Sequence, residues 1–345
     1  METVSPHPPQ TWQRWSILLL GALTASTSAL WIRLILDRLA TTGPEVSLWI
    51  AAVRLGVAAL VLLPGWRGFV QQGYGWRQGQ YSVWAGLCLA LHFGAWISSL
   101  SYTSITASTV LVTTTPLWLA LVSWLLWRER LTDLCLLGIG LAIAGGLVIG
   151  GLGTAQPDLA LINAPLGNVP LGNGLALVGA WAVTGYLLLG RAAQRRGLTT
   201  QHHVLLAYSV AAAALVLGWG VSGGLLSGGD ITWPNSWPIP GPIPGPIPGQ
   251  VYLWLAALAL LPQLIGHSCL NWSVRWLSPT LVALAVLMEP LVASLLGYWL
   301  FQERPSPEMA IAALLILLGL GFAILGNHFQ LSSLVEQIRR RRQGR

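Results

Sequence analysis

Apolar residues run along this chain in long blocks, broken by short stretches rich in arginine, glycine and proline. The blocks predict helices at roughly 15–36, 47–64, 82–100, 105–127, 134–152, 173–192, 203–221, 251–273, 279–301 and 308–326. Most approach the ~20 residues that cross a bilayer core. A segment in lipid must satisfy its own backbone, so each block is expected to be a membrane-spanning helix. Composition agrees: 54% of residues are hydrophobic, only 8% are charged, and mean hydropathy is +0.65. A soluble domain carries roughly a quarter charged residues. No small-residue cleavage pattern follows the first block, which is longer than a signal-peptide core, so it is expected to be retained.

Charge sets the orientation. All 18 basic residues are arginine. With the N-terminus inside, 14 face the cytoplasm: Arg14, Arg67, Arg77, Arg128, Arg130, Arg191, Arg195, Arg196, Arg275, Arg339, Arg340, Arg341, Arg342 and Arg345. Arg33, Arg38 and Arg304 fall outside, and Arg54 lies within the second block. That bias fits ten crossings with both termini cytoplasmic. Merging the sixth and seventh blocks, the least hydrophobic, would spoil it. The scatter of arginines over loops and one tail argues for orientation rather than nucleic-acid binding. Cys88, Cys135 and Cys269 sit far apart in apolar blocks, with no disulfide framework or metal-site spacing.

One segment occurs twice. Tyr102–Arg130 and Trp276–Arg304 align without a gap at an offset of 174, with nine of 29 positions identical, among them Pro116/Pro290 and Glu129/Glu303. Five predicted crossings separate the copies, and five is odd, so the copies face opposite sides of the membrane. The expected fold is therefore an all-α polytopic membrane protein built as two inverted five-helix repeats. Such repeats place a substrate site near the midplane between the halves. The expected organisation is a cytoplasmic N-tail (1–14), a first repeat (15–152), an outer loop (153–172), a second repeat (173–327) and a basic cytoplasmic tail (328–345). The outer loop holds Pro-Leu-Gly-Asn twice. The second repeat contains an outer loop at 222–250 with Pro-Ile-Pro-Gly three times, for which tandem slippage in a tolerant loop is the favoured account over a lid.

The order of these motifs resembles the drug/metabolite transporter superfamily, in particular its EamA-type members. The resemblance rests on Ser104–Leu131 and Ser278–Pro305, on Arg54 in Ala-Val-Arg-Leu, on Trp181 within Gly174–Arg191, and on Glu289-Pro290. It implies transport of a small metabolite or drug-like molecule, such as an amino acid or amine, across a bacterial inner membrane, with export the favoured direction.

Ionisable side chains at membrane depth mark function or pairing. Four qualify: Glu289, Arg54, His92 and His267. Glu289 lies ~15 Å from the inner face at 1.5 Å per residue. Pro290 removes a backbone donor beside it. A carboxylate there suits a cation, an amine or a coupling proton; an ion pair with Arg54 weighs equally. Arg54 alone could grip a substrate carboxylate with two hydrogen bonds, but snorkelling outward or pairing with Glu289 is the favoured account. His92 and His267 lie one residue off the repeat offset, and interhelical hydrogen bonding is favoured over a proton relay for both. Thr115, which aligns with Glu289, and Asn271 are polar candidates for a cavity lining. Trp96, Trp181 and Trp272 lie deep enough to form an aromatic wall, with ordinary packing of equal weight. Trp12, Trp15, Trp49, Trp66, Trp127 and Trp254 are expected as interfacial anchors.

The expected function is secondary transport by alternating access. The expected partners are a small-molecule substrate, the bilayer and a coupling proton, in a monomer or homodimer. No cofactor, metal or nucleic acid is expected. No phosphate-binding Gly-x4-Gly-Lys-Ser/Thr loop is present, so ATP hydrolysis is not expected. A membrane-embedded enzyme, or a channel or non-transporting scaffold, are the alternatives. The sparse acids and dispersed histidines argue against the enzyme.

Overall fold

The computed structural model describes residues 9–39, 44–99, 114–128, 131–152, 169–225 and 247–289, with short pieces at 102–112 and 292–326. Among these residues the regular structure is helical and no strand occurs. Five helices are long and apolar enough to cross a membrane, or six if one bent pair counts as a single span.

The first span is interrupted. α1 (Thr11–Ala25) and α2 (Ser28–Leu39) meet at a turn. Ser26 Oγ donates to the Ala22 carbonyl at 2.7 Å and Thr27 Oγ1 to the Thr24 carbonyl at 2.8 Å. Hydroxyls that bond back in this way compete with the helix ladder and bend it. α3 (Pro44–Leu62) carries Arg54, and after Leu63-Pro64 the chain turns by 64° into the short α4 (Gly65–Gln71). α5 (Trp76–Ser99) is a regular 24-residue helix. α6 (Thr115–Trp127) and α7 (Asp133–Leu152) follow.

In the second repeat α8 (Val169–Arg195) and α9 (Thr200–Leu225) are longer than expected. The second Pro-Leu-Gly-Asn copy is the first turn of α8 rather than loop, since proline fits a helix's first turn. The next span begins as α10 (Gly249–Leu258), passes through a π-helical stretch at Ala259–His267 that contains Pro262, and ends as α11 (Ser268–Trp276). α12 (Pro279–Val286) starts with Ser278 accepting from the Leu281 amide, and α13 covers Leu314–Ala323. Residues 153–168 and 226–246, the basic tail, and the Glu129-Arg130 and Glu303-Arg304 clusters lie outside the described residues.

Helix direction can be read from close contacts. Ser82 meets His203, Gly86 packs on Ala207 and Gly94 faces Leu215, so α5 and α9 run parallel. Gly179 sits on Trp96 and Gly185 on Cys88, so α5 and α8 run antiparallel. Gly21 abuts Cys269 while Gly266 abuts Ala25, so α1 runs antiparallel to the 249–276 span. Gly138 meets Ala323 and Gly145 meets Ala312, so α7 and α13 are antiparallel as well. Small residues at these seams bring backbones together, which is how helices associate where lipid removes the hydrophobic drive between them.

The proline breaks correspond. Thr114 is in a turn before α6 opens on Thr115-Pro116. In the second copy α12 stops at Val286, and Leu287-Met288 form a turn before Glu289-Pro290. Trp49 is a correction: it is 4% exposed and packs with Ile35, Ile50 and Leu255, so it is a core residue rather than an interfacial anchor. Trp12 and Trp66 do stay exposed.

Candidate functional site

Arg54 stands at the midpoint of α3, and Gln263 at the midpoint of Gly249–Trp276. Arg54 is 1% exposed and Gln263 0%. The π stretch re-aims side chains by one extra residue per turn, and such bulges are frequent at functional sites. Here it brings Gln263 onto Arg54, whose Nε donates to Gln263 Oε1 at 2.6 Å. The guanidinium also lies over the Phe93 ring at 4.5 Å, a cation–π contact. Burying a guanidinium is costly unless it is paired and hydrogen-bonded. Yet Arg54 Nη2 and Gln263 Nε2 have no hydrogen-bond partner. Two buried groups with unused N–H donors thus sit together at mid-span, a chemistry suited to a ligand that brings acceptors.

Arg54 is also within electrostatic reach of Glu289, His92, His267 and Tyr208. His92 donates from Nδ1 to the Gly179 carbonyl at 2.9 Å and stacks on Trp96 at 6.0 Å, joining α5 to α8. His267 meets Phe93 edge-on at 6.0 Å. Asn271 Nδ2 donates to Tyr186 Oη at 2.5 Å and to the His267 carbonyl at 2.7 Å, while its own carbonyl accepts from Gln194 Nε2 at 2.7 Å. Both Nδ2 donors and the main-chain carbonyl of Asn271 are thus used within the protein, and its side chain also lies against His203, which makes it a linker between helices. Tyr208 is fully buried and donates to the Gln263 carbonyl at 3.4 Å. Tyr186 and Tyr208 hydrogen-bond each other, closing a polar track from Arg54 to Asn271.

Thr115 serves its own break. Pro116 has no N–H for the Val112 carbonyl, and Thr115 Oγ1 donates to that carbonyl at 2.7 Å instead. The three tryptophans do not form one wall. Trp96 packs inside against His92, whereas Trp181 is 50% exposed and contacts Trp118. Trp272 lines a groove of about 330 Å³ with Pro9, Trp12, Gln13, Ser16 and Ile17, which has no wall from Arg54.

The sequence reading missed Gln263, Tyr208 and Tyr186. Gln263 had a visible signal: an amide at the centre of an apolar block, directly after proline. The two tyrosines had none, since a phenol in an apolar helix reads as packing.

The EamA-like transporter family matches the chain twice, over residues 14–151 and 170–325. The chain belongs to this family, one copy of the family domain in each repeat. The structure is similar to a solved crystal structure at 19% sequence identity, with TM-score 0.65 over 92% of this chain and 99% of the other. That likeness shows a shared fold. No curated protein matches the sequence.

Proposed function

We propose that the protein is a secondary transporter that moves a small molecule through a site formed by Arg54, Gln263 and Glu289 between two inverted five-helix repeats. The observation that carries this is the pair of unused donors, Arg54 Nη2 and Gln263 Nε2, buried at mid-span on helices of different repeats. A substrate acceptor, such as a carboxylate or carbonyl, would complete both. Glu289 would hold a proton or a cationic group nearby.

The inverted arrangement is supported by how the repeats exchange contacts. The first span of each repeat packs antiparallel on the third span of the other: α1 on Gly249–Trp276, and α8 on α5. The fifth spans, α7 and α13, pair antiparallel. The second spans, α3 and α9, and the fourth spans, α6 and α12, also pair with each other. A two-fold axis in the membrane plane produces this exchange. Ten spans with both termini cytoplasmic, in a bacterial inner membrane, complete the reading. Rocking of one repeat against the other would expose the site to each side in turn, with export the favoured direction and a proton the coupling ion.

The test is counterflow in reconstituted vesicles, with candidate amino acids, amines and other small metabolites. Saturable counterflow that disappears in Arg54→Leu supports a carrier. Flux that does not saturate would point to a channel, and no flux with any class would sink the proposal.

A further inference from the structure

Beyond the Arg54 site, a second buried polar centre lies where α5, α8, α9 and α11 meet. His203 in α9 is 0% exposed. Its Nδ1 shares a 2.8 Å hydrogen bond with Ser82 Oγ of α5, and its Nε2, which makes no hydrogen bond of good geometry, lies beside the Asn271 side chain. Its ring lies over Tyr186 of α8 at 6.2 Å. Gly190 makes room for it: a Cβ there would come within 2.8 Å of Nε2. Ser82 belongs to the first repeat and His203 to the second, so this bond crosses the seam between repeats.

We propose that His203 is a proton-binding site separate from the Arg54 site, and that a proton taken up there parts α5 from α9 at this end of the seam. The surroundings determine what a charge would do. α5, α8, α9 and the 249–276 span contain no Asp, Glu or Lys. The ionisable side chains on these elements are tyrosines (Tyr81, Tyr186, Tyr208, Tyr252), histidines (His92, His202, His267), Cys88, Cys269 and arginines; α3 and α4, which also pack on α9, add Arg54, Arg67 and Glu45, the last at the end of α3 away from the Gly65–Gln201 contact. His202 turns away on the same helix, against Phe69 at 5.7 Å and Tyr74 at 5.4 Å. Arg196 lies over Tyr81 at 4.0 Å and Arg275 over Trp276 at 5.3 Å. Arg77, Arg191 and Arg195 are the other cations of these elements. An imidazolium in this packing would meet neutral dipoles, the Ser82 hydroxyl and the Tyr186 and Asn271 side chains, but no negative charge, so much of its charge must be met by water. A proton binds better to the state in which His203 reaches water, and mass action then favours that state. Protonation also makes both ring nitrogens donors, so Ser82 can no longer donate to Nδ1 and must turn its hydroxyl to accept from it.

The same centre is tied to the first site. Asn271 bonds Tyr186, Tyr186 bonds Tyr208, and Tyr208 bonds the Gln263 carbonyl. From Asn271 to Gln263 is eight residues, or ~12 Å along a helix axis. A displacement at His203 therefore has a hydrogen-bonded route to the partner of Arg54. The proposal deepens the carrier reading and rests on it only for the two-state motion.

Its test does not need the substrate. Gly79 of α5 and Leu206 of α9 face each other, 3.6 Å from a Cβ at 79 to Leu206 Cδ2. In the full chain, with Cys88, Cys135 and Cys269 replaced by alanine, Gly79→Cys and Leu206→Cys are cross-linked by a bifunctional thiol reagent in lipid vesicles. The rate is measured at about pH 5.5 and about pH 8, on either side of the ordinary histidine range. It is normalised to labelling of each cysteine alone at the same pH. With His203 present the normalised rate falls severalfold in acid; with His203→Gln the fall is gone. Ser82→Ala, which keeps the histidine, gives the slow rate already at the higher pH. An acid response that survives His203→Gln, no response with His203 present, or Ser82→Ala behaving like the parent would overturn the proposal. Counterflow with pH-indifferent cross-linking sinks this clasp and leaves the carrier. Acid-responsive cross-linking without flux does the reverse.

Discussion

The two proline positions correspond in the sequence repeat and pose the same backbone problem beside different neighbours. At the first, Pro116 leaves the Val112 carbonyl without its helical donor, and the Thr115 hydroxyl supplies one from the same turn. At the second, Pro290 leaves the Val286 carbonyl in that position, and the neighbour is Glu289. An ionised carboxylate only accepts hydrogen bonds; a protonated one can donate. The first break is thus closed by its own side chain whatever the pH. If the Glu289 side chain took the same part, it could do so only while holding a proton. Under the proposed function the first repeat would carry a permanent joint and the second a joint whose fit depends on protonation.

The comparison can be broken in three places. The largest effect is expected for Glu289→Gln, which keeps a donor but cannot exchange a proton. Counterflow or gradient-driven flux should fall at least about a hundredfold, equivalent to ~2.7 kcal/mol, and an imposed proton gradient should no longer drive accumulation. Accumulation that still follows the proton gradient would put the coupling elsewhere. An intermediate result is expected for Glu289→Thr, which turns the second break into a copy of the first. Flux should be lost as in Glu289→Gln, while thermal unfolding in detergent shows stability held or raised by about 1 kcal/mol through the new hydroxyl-to-carbonyl bond. A large drop in melting temperature would mean Glu289 is structural. The smallest effect belongs to Thr115→Val. Stability should fall by about 1 kcal/mol for the lost bond, with flux changed by less than about twofold and no shift in pH profile. A severe transport defect would show that Thr115 touches the substrate.

The repeat, its proline breaks and Arg54 were legible because each leaves a local mark: identity at a fixed offset, a missing donor, a charge in an apolar block. Arg54's partner was not. Gln263 reaches it only because the span is locally π-helical, and a register taken at 3.6 residues per turn aims that side chain elsewhere. The tyrosine track was hidden for another reason. Tyr186, Tyr208 and Asn271 come from three helices whose lateral order depends on the exchange between repeats. The aromatic wall failed because depth along a span says nothing about azimuth: Trp96 faces inward while Trp181 faces outward at the same kind of depth. Ser82 and His203 had the same difficulty, being 121 residues apart yet 2.8 Å from each other.

The π stretch at Ala259–His267 also bears on how this span tolerates change in length. A π turn holds one residue more than an α turn. The extra residue is taken up inside the wide turn, so the helix beyond it keeps its facing. Removing a single residue there would let the span relax into an ordinary α-helix with Asn271 still towards Tyr186, while Gln263, inside the stretch, would lose its aim at Arg54. A deletion here would strike the Arg54 contact and spare the helix on either side of it.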